Sequence, residues 1–187
     1  MMEFSIEKIP QVGTGEWLRP ARTEKIYTEL STPVGNFSLH RKPARQGTAE
    51  AKADGWEEWS ITLDGSVIML IEDIAYPWTS LHKRMRSGAH GRLEGKSFQA
   101  HARRSPLPSK RIVRYTFDDC TLSFEVQGSS RVLYSESGGE RRLIAEARKG
   151  KWACASLTPS LTAVLCFHTV AELDIFLESP LWDIPIF

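Results

Sequence analysis

The apolar stretch near the C-terminus, Thr158 to Pro180, constrains the fold of this chain more than any other feature. Thr158 is suited to cap a helix, Pro159 to occupy its first position and Pro180 to end it. Large apolar residues fall on nearly every face of the predicted helix: Leu161, Val164, Leu165, Phe167, Val170, Leu173, Ile175, Phe176 and Leu177. A helix without a polar face has to be surrounded, either by protein or by lipid.

A membrane is the less favourable of these two surroundings. The mainly apolar part of the stretch is near the lower limit of length for crossing a bilayer, and it includes His168, Glu172 and Asp174. An aspartate near the bilayer centre costs about 2.5 to 3.5 kcal/mol. We therefore predict no transmembrane segment but a core helix of a water-soluble protein, whose acidic residues reach solvent or find partners at one end of the core.

The sequence before this helix is typical of strands with one apolar side. Apolar and polar residues alternate in 112–117, and in 121–127 the apolar residues again share one side. Within residues 56–73, Asp64-Gly65 has the composition of a type I′ turn, which requires positive φ at both positions and predicts a hairpin. Turn residues recur at roughly ten-residue intervals from Asp118 to Gly139. The pattern predicts an antiparallel meander.

Together these features predict a β-rich (α+β) fold, namely an antiparallel β-barrel or strongly curled sheet of eight to twelve strands with the C-terminal hydrophobic helix in or against it. A chain of 187 residues suits a single domain. We interpret residues 1–25 as an N-terminal arm that is mostly loop, 41–54 as an exposed loop, and 181–187 as an apolar tail docked on the body. The tail either covers the end of the barrel or enters a neighbouring subunit of a homo-oligomer.

The order of strands and terminal helix resembles the tubby-like and LURP-one-related family. The resemblance covers residues 105–178 and rests on the succession CTLSFEVQG, SRVLYSESGGERRLIAEARKGKW and SLTAVLCFHTVAELDIFL. It implies a β-barrel threaded by its C-terminal helix. Family members are mostly non-enzymatic, and some bind phosphoinositide headgroups or lipids. No lipid-binding position of the family can be carried over to a residue of this chain.

Charge is distributed very unevenly along the sequence. Residues 82–114 contain ten Lys or Arg and one acid, Glu94, a net charge of +9 in a chain whose total is +1. We select eight of these cations as the predicted anion-binding residues: Lys83, Arg84, Arg86, Arg103, Arg104, Lys110, Arg111 and Arg114.

The basic segment favours a non-enzymatic binding protein that engages an anionic ligand or partner, such as a lipid headgroup or an acidic protein surface. A basic patch beside apolar groups favours an anionic headgroup, whereas salt-dependent phosphate contacts are typical of a nucleic-acid-associated protein, which is the alternative. These cations could instead pair with the acidic remainder of the chain or lie on solvated strand faces.

Catalytic motifs are absent from the sequence. It has no G-x-S-x-G elbow, no Walker-type glycine loop and no G-x-G-x-x-G. An enzyme without a recognisable motif therefore remains a third, less favoured interpretation, and we predict no cofactor. His168 is interpreted as a core histidine bonded to backbone or to a buried carboxylate. Asp118-Asp119 is interpreted as a turn, and the spacing of His82, His90 and His101 matches no metal motif.

The cysteines and the N-terminus indicate the compartment. Cys120, Cys154 and Cys166 are widely spaced, odd in number and outside any C-x-x-C pattern, which favours buried free thiols over disulfides or a structural zinc site. The first residues lack the features of a secretory signal. We therefore predict a cytoplasmic protein.

Overall fold

One antiparallel sheet forms most of the structure. The structure is a computed structural model, and it describes residues 2–17, 19–43, 56–75, 85–86 and 88–178. The described part of the chain contains thirteen strands. They are β1 (Met2–Phe4), β2 (Glu7–Pro10), β3 (Lys25–Thr32), β4 (Gly35–Pro43), β5 (Trp56–Leu63), β6 (Ser66–Ala75), β7 (Ala89–Leu93), β8 (Lys96–Arg103), β9 (Ile112–Thr116), β10 (Thr121–Gln127), β11 (Ser130–Ser137), β12 (Glu140–Arg148) and β13 (Lys151–Cys154). The helices whose bounds the structure describes are α1 (Thr14–Trp17) and α2 (Pro159–Val170), with 3-10 turns at Pro108–Lys110 and Leu173–Phe176.

The order of the strands makes the sheet curl. From β2 to β13 each strand pairs with the next in the chain, and β1 pairs with β13, so β1 and β2 are the two edges. Only Ser5 and Ile6 separate these edge strands in sequence. Three residue steps, from Phe4 to Glu7, span at most about 11 Å. The ladder is not closed by hydrogen bonds into a barrel, but the continuous segment Met2–Pro10 keeps its two edges close together.

Helix α2 lies in the interior that this curl creates. Seven consecutive residues from Thr162 to His168 are buried, which is two full turns with no exposed face. The helix packs against β5 and β6, and His168 contacts rings from β10 and β13, namely Phe124 and Trp152. The predicted core helix is therefore confirmed. None of the helices that the structure describes has the length and hydrophobicity needed to span a bilayer.

The start of α2 is as predicted, whereas its end is not. The Thr158 hydroxyl accepts a hydrogen bond from the Leu161 backbone N–H, and Pro159 is the first helical residue. The helix was expected to continue to Pro180 but ends at Val170. Glu172 adopts a left-handed conformation, with φ 49° and ψ 40°, and this turns the chain into the 3-10 segment Leu173–Phe176.

The predicted strand signals are confirmed where the structure describes them. Leu63 pairs with Ser66 across the turn, in which Asp64 and Gly65 have φ of 50° and 78°. In β9 the side chains of Val113 and Tyr115 are buried, while Arg114 between them and Thr116 after them are exposed. The alternation therefore separates an apolar inner face, which packs on α2, from an outer face available for polar chemistry.

The N-terminal region departs from the prediction. Residues 1–25, interpreted as mostly loop, contribute β1, β2 and α1, and the total of thirteen strands exceeds the predicted eight to twelve. The segment Met2–Pro10 lacks a strong alternating pattern because only Phe4 is buried and Ile6 half-buried. Residues 41–43 of the predicted exposed loop belong to β4; its remainder, 44–54, and the apolar tail 181–187 lie outside the described residues.

A buried ion pair fastens the connection between β2 and β3 to the sheet. Arg41 on β4 and Glu57 on β5 are 1% and 2% exposed, and two nitrogens of the guanidinium donate to the two carboxylate oxygens at 2.7 Å. The other Arg41 bonds, each 2.9 Å, go to the backbone carbonyls of Trp17 and Arg19. Glu57 also accepts from the backbone N–H of Ala21 at 2.7 Å.

Aromatic rings surround the same guanidinium. Its central carbon lies 4.2 Å from the ring centroid of Tyr27 and 5.2 and 5.3 Å from those of Trp59 and Trp17. The Trp59 indole N–H donates to Glu57 at 2.9 Å. Burying an unpaired charge costs free energy because the ion loses its hydration. The hydrogen bonds and ring contacts of Arg41 and Glu57 together offset this cost.

Replacing Glu57 by Gln should destabilise the protein strongly. The substitution keeps the side-chain shape but leaves the Arg41 charge buried without a counter-ion, so we expect a loss of about 3–5 kcal/mol in the free energy of unfolding. Urea unfolding followed by tryptophan fluorescence measures it. The control is Glu16→Gln, which breaks the exposed Lys25–Glu16 pair and should change nothing measurable. Equal stability of the two variants would contradict this role for the buried pair.

A second polar group sits at the end of α2. His168 is 1% exposed, its ring stacks on Phe124 with centroids 4.0 Å apart, and its Nε2 donates to Asp174 at 2.9 Å. Asp174 also pairs with Arg131 at 3.1 Å. Burial alone would raise the pKa of the Asp174 carboxyl, but the hydrogen bond from His168 and the electrostatic interactions with His168 and Arg131 outweigh it and lower the pKa. The prediction of a core histidine is confirmed, although the carboxylate that it bonds is half-buried and not buried.

This pairing should make stability pH-dependent in the acid range. Because the folded-state pKa of Asp174 is depressed, its contribution is fully present above the ordinary aspartate pKa of about 3.9 and is lost as pH falls through the lower folded value. Asp174→Asn should therefore be less stable than wild type near neutral pH, and the difference should shrink below about pH 4. Urea midpoints measured over a pH series test this. A difference that stays constant down to acid pH would refute it.

Candidate anion-binding site

The outer face of the sheet carries a cleft bounded by β8, β9, β10, β12 and the 3-10 turn that precedes β9. Its volume is about 430 Å³. The walls are mainly polar and basic, and the residues that line them are His101, Arg103, Ser109, Lys110, Ile112, Arg114, Glu125 and Arg141. It lies on the opposite side of the sheet from α2 and is separated from the core by the sheet itself.

Strand alternation places the basic side chains of β8 and β9 in this cleft. Ala100 and Ala102 point into the core, so His101 and Arg103 face outward on β8. His101 stands opposite Arg114 in the pairing of β8 with β9. Cross-strand neighbours on one face lie about 5 Å apart at Cβ. Three cationic or titratable groups are thus brought together by local rules once the register is set.

The turn before β9 adds a third cation, Lys110. Pro108 begins the 3-10 turn, and the Lys110 N–H donates to the Leu107 carbonyl at 3.0 Å. Arg111 anchors this loop from inside: its guanidinium donates to the carbonyls of Ser105 at 2.8 Å and Pro106 at 2.9 Å. The loop therefore holds Lys110 over the cleft without depending on an exposed contact.

The cations of the cleft are not neutralised in the same way as others on the sheet. Arg103, Lys110 and Arg114 are exposed and form no ion pair with any carboxylate in the described part of the chain. Several other exposed cations of the sheet are paired, as Arg92 is with Glu72 at 3.1 Å. The interpretation that the basic segment is simply neutralised by acidic residues therefore does not apply to these three.

Arg141 differs, since it is already engaged at the far side of the cleft. Its guanidinium bonds Glu125 at 2.7 Å and Glu136 at 3.2 Å and lies 3.9 Å from the ring centroid of Tyr134. The Glu125 hydrogen bond is the main reason that the pKa of Arg141 is raised further. Glu125 is the one carboxylate among the residues lining the cleft, and it is bonded to Arg141 rather than to the three free cations.

The structure brings together three of the eight predicted anion-binding residues, Arg103, Lys110 and Arg114. Arg111 is buried and holds the loop, and Arg104 is half-buried and does not line the cleft. Arg86 is exposed with its guanidinium 5.7 Å from the ring of Phe176. The remaining two residues of the prediction, Lys83 and Arg84, lie outside the described residues, as does His82.

The prediction did not include His101, Ser109, Glu125 or Arg141. His101 and Glu125 occupy outward positions in the alternation of β8 and β10, so the strand pattern could have predicted that both face the side of the cleft. Arg141 is 16 residues beyond Glu125 in the chain. Only the pairing of β10, β11 and β12 brings it back to the cleft, and the local sequence does not indicate that pairing register.

Other groups considered for chemistry have structural roles. Asp119 in the β9–β10 turn pairs with Lys96 at 2.8 Å on the surface, in line with the turn interpretation of Asp118-Asp119. The three cysteines are free; Cys154 and Cys166 are buried and Cys120 is half-buried. Within the described residues, no three His, Cys, Asp or Glu side chains are grouped as metal ligands would be.

Comparison with known proteins adds no relative: no family model, no curated protein and no solved structure matches this chain.

Mutation of the buried Arg111 and of the exposed Arg114 should affect the stability of the protein to different extents. Arg111→Met leaves buried carbonyls without their donor, so we expect a loss of about 1–3 kcal/mol in the free energy of unfolding. Arg114→Gln, on the exposed face, should change stability by less than about 0.5 kcal/mol. Chemical denaturation of both variants measures this. An equal loss in the two would show that Arg114 also has a structural role.

Proposed function

We propose that this protein binds an anionic lipid headgroup through the cleft on β8, β9 and β10. The observation that carries the proposal is the convergence of Arg103, Lys110 and Arg114 on one cleft without carboxylate partners in the described residues. Exposed cations this close to one another repel, and an anion held among them removes that repulsion. Arginine and lysine are the side chains that recognise phosphate groups.

An apolar residue beside the cleft favours a lipid surface as the source of the anion. Leu107 is 54% exposed and lies in the same loop as Lys110, between Pro106 and Pro108. A leucine at the tip of a proline-flanked loop gains free energy by entering the boundary between headgroups and acyl chains. The same loop then offers an apolar group to the membrane and a cation to its surface.

Nucleic acid is the weaker candidate for this surface. Single-stranded nucleic acid is bound along an extended basic groove with aromatic side chains on which bases stack. Among the residues that the structure describes, the cations around the cleft do not continue as such a track, and Arg131 on β11 and Arg148 on β12 pair with Asp174 and Glu146. The compact cleft suits one headgroup better than a polynucleotide.

The fold and the sequence resemblance support the same proposal. The resemblance to the tubby-like and LURP-one-related family implies a β-barrel threaded by its C-terminal helix, and the curled antiparallel sheet around the buried α2 is compatible with such a fold. We propose that Met2–Pro10 completes a barrel wall of this type, since it pairs with β13 at one end and β3 at the other. A binding protein located in the cytoplasm and recruited to an anionic membrane would agree with these features.

Vesicle co-sedimentation tests the proposal with a charge-matched control. The variant Arg103→Gln/Lys110→Gln/Arg114→Gln should lose at least about tenfold in affinity for phosphatidylcholine vesicles containing phosphatidylinositol 4,5-bisphosphate, because each lost cation removes attraction of roughly 1 kcal/mol. Arg22→Gln/Lys149→Gln/Lys151→Gln changes the net charge equally, using exposed cations outside the cleft, and should retain most of the binding. An equal loss in both triple variants would refute a specific site.

Two further variants sharpen the result. Glu125→Gln removes the carboxylate of the cleft and should strengthen vesicle binding, whereas Leu107→Ser should weaken binding to vesicles but not to a soluble inositol phosphate. A gel shift with mixed-sequence RNA provides the other arm of the test. Binding to RNA but not to vesicles would favour the nucleic-acid alternative and overturn the lipid proposal.

A further inference from the structure

Ser123 is a buried polar residue on the outer face of β10. Cross-strand pairing places it between Arg114 on β9 and Tyr134 on β11. Its neighbour Phe124 points into the core against His168, so Ser123 faces the same side as the cleft. It is nevertheless 0% exposed.

The hydroxyl of Ser123 has no hydrogen-bond partner in the structure. Most buried polar atoms are bonded, and a hydroxyl left without a partner destabilises the folded protein. Arg141 on β12, which lines the cleft, is bonded to Glu125 and stacks on Tyr134, and Arg114 opposite Ser123 does not bond the hydroxyl. The arrangement therefore leaves a donor beneath the cleft with nothing to bind.

We propose that Ser123 is a ligand-binding residue at the floor of the cleft, and that its hydroxyl donates a hydrogen bond to an oxygen of the bound phosphate group. This inference rests on the proposed function. Arg114 is an exposed side chain directly opposite Ser123 and has no carboxylate partner in the described residues, and an anion that draws it toward itself uncovers the hydroxyl. The bond then gives the buried Ser123 hydroxyl a partner.

This role differs from that of the surrounding cations in a measurable way. Arginine and lysine attract any anion, and added salt screens that attraction. A hydroxyl carries no charge, so its contribution depends on an acceptor oxygen at short range and is insensitive to ionic strength. Ser123 would therefore select for phosphate oxygens, whereas Arg103, Lys110 and Arg114 provide the general attraction.

The test measures binding of soluble inositol 1,4,5-trisphosphate to the full chain by calorimetry at low and high salt. Ser123→Ala should reduce affinity by about tenfold at both salt concentrations, while its melting temperature stays the same or rises, because an unsatisfied hydroxyl has been removed. Arg114→Gln should reduce affinity mainly at low salt. The control Ser60→Ala removes a buried hydroxyl outside the cleft and should bind as wild type does.

A second substitution at the same position guards against a packing effect. Ser123→Cys keeps nearly the same volume but is a weak donor, so it should lose affinity much as Ser123→Ala does. If Arg114→Gln weakens binding and both Ser123 variants bind as tightly as wild type, the role of Ser123 is refuted and the cleft stands. If wild type does not bind the probe at either salt concentration, the proposed function fails together with this inference.

Discussion

The fold depends on the need to surround a helix that has no polar face. Two turns of α2 are buried on every side, and each apolar group there contributes to stability in proportion to the surface it removes from water. One packed face of a flat sheet could not bury such a helix. The meander of thirteen strands supplies a shell, and the segment Met2–Pro10 links its two edges. Every strand except β2 contributes buried side chains to the core that contains α2.

Because the inward side chains of the strands form the core, the outward side chains are available for function. In β8 and β9 small or apolar side chains occupy the inward positions, so charge can be placed at each outward position without any cost to the core. The cleft is built in this way from neighbouring strands and one short turn. Arg111 marks the boundary between the two roles, because it lies between Lys110 and Ile112 in sequence yet holds the loop through buried bonds.

Local sequence predicted the parts of the structure that local physics determines. The Thr158 cap, the Asp64-Gly65 turn and the alternation in β9 each depend on residues close together in the chain, and all are confirmed. The predicted end of α2 at Pro180 was wrong: Glu172 adopts a left-handed conformation, which is uncommon for a glutamate and which its residue type does not signal. The strands β1 and β2 were missed because their pairing partners stabilise them rather than their own apolar pattern.

The candidate site was predicted only as a charged segment. Sequence proximity selected eight cations, but the pairing register decides which of them meet, and it gathered three. The other residues of the site come from later strands. Ser123 and Glu125 lie on β10, which pairs with β9, and Arg141 lies on β12, which is reached through β11. Contacts of this kind depend on long-range register, which a single sequence specifies only through the fold as a whole.

The way β2 ends has a consequence for solubility. The N–H of Gln11 and the carbonyl of Ile9 both point toward β3, where they bond Tyr27 and the Thr28 hydroxyl, so by alternation the nitrogen of Pro10 faces the free side of the strand. Proline has no N–H to offer there, and the exposed Lys8 adds a charge to the same short edge. A free edge of this kind is a poor template for another chain. The sheet can remain unclosed by hydrogen bonds without inviting edge-to-edge aggregation.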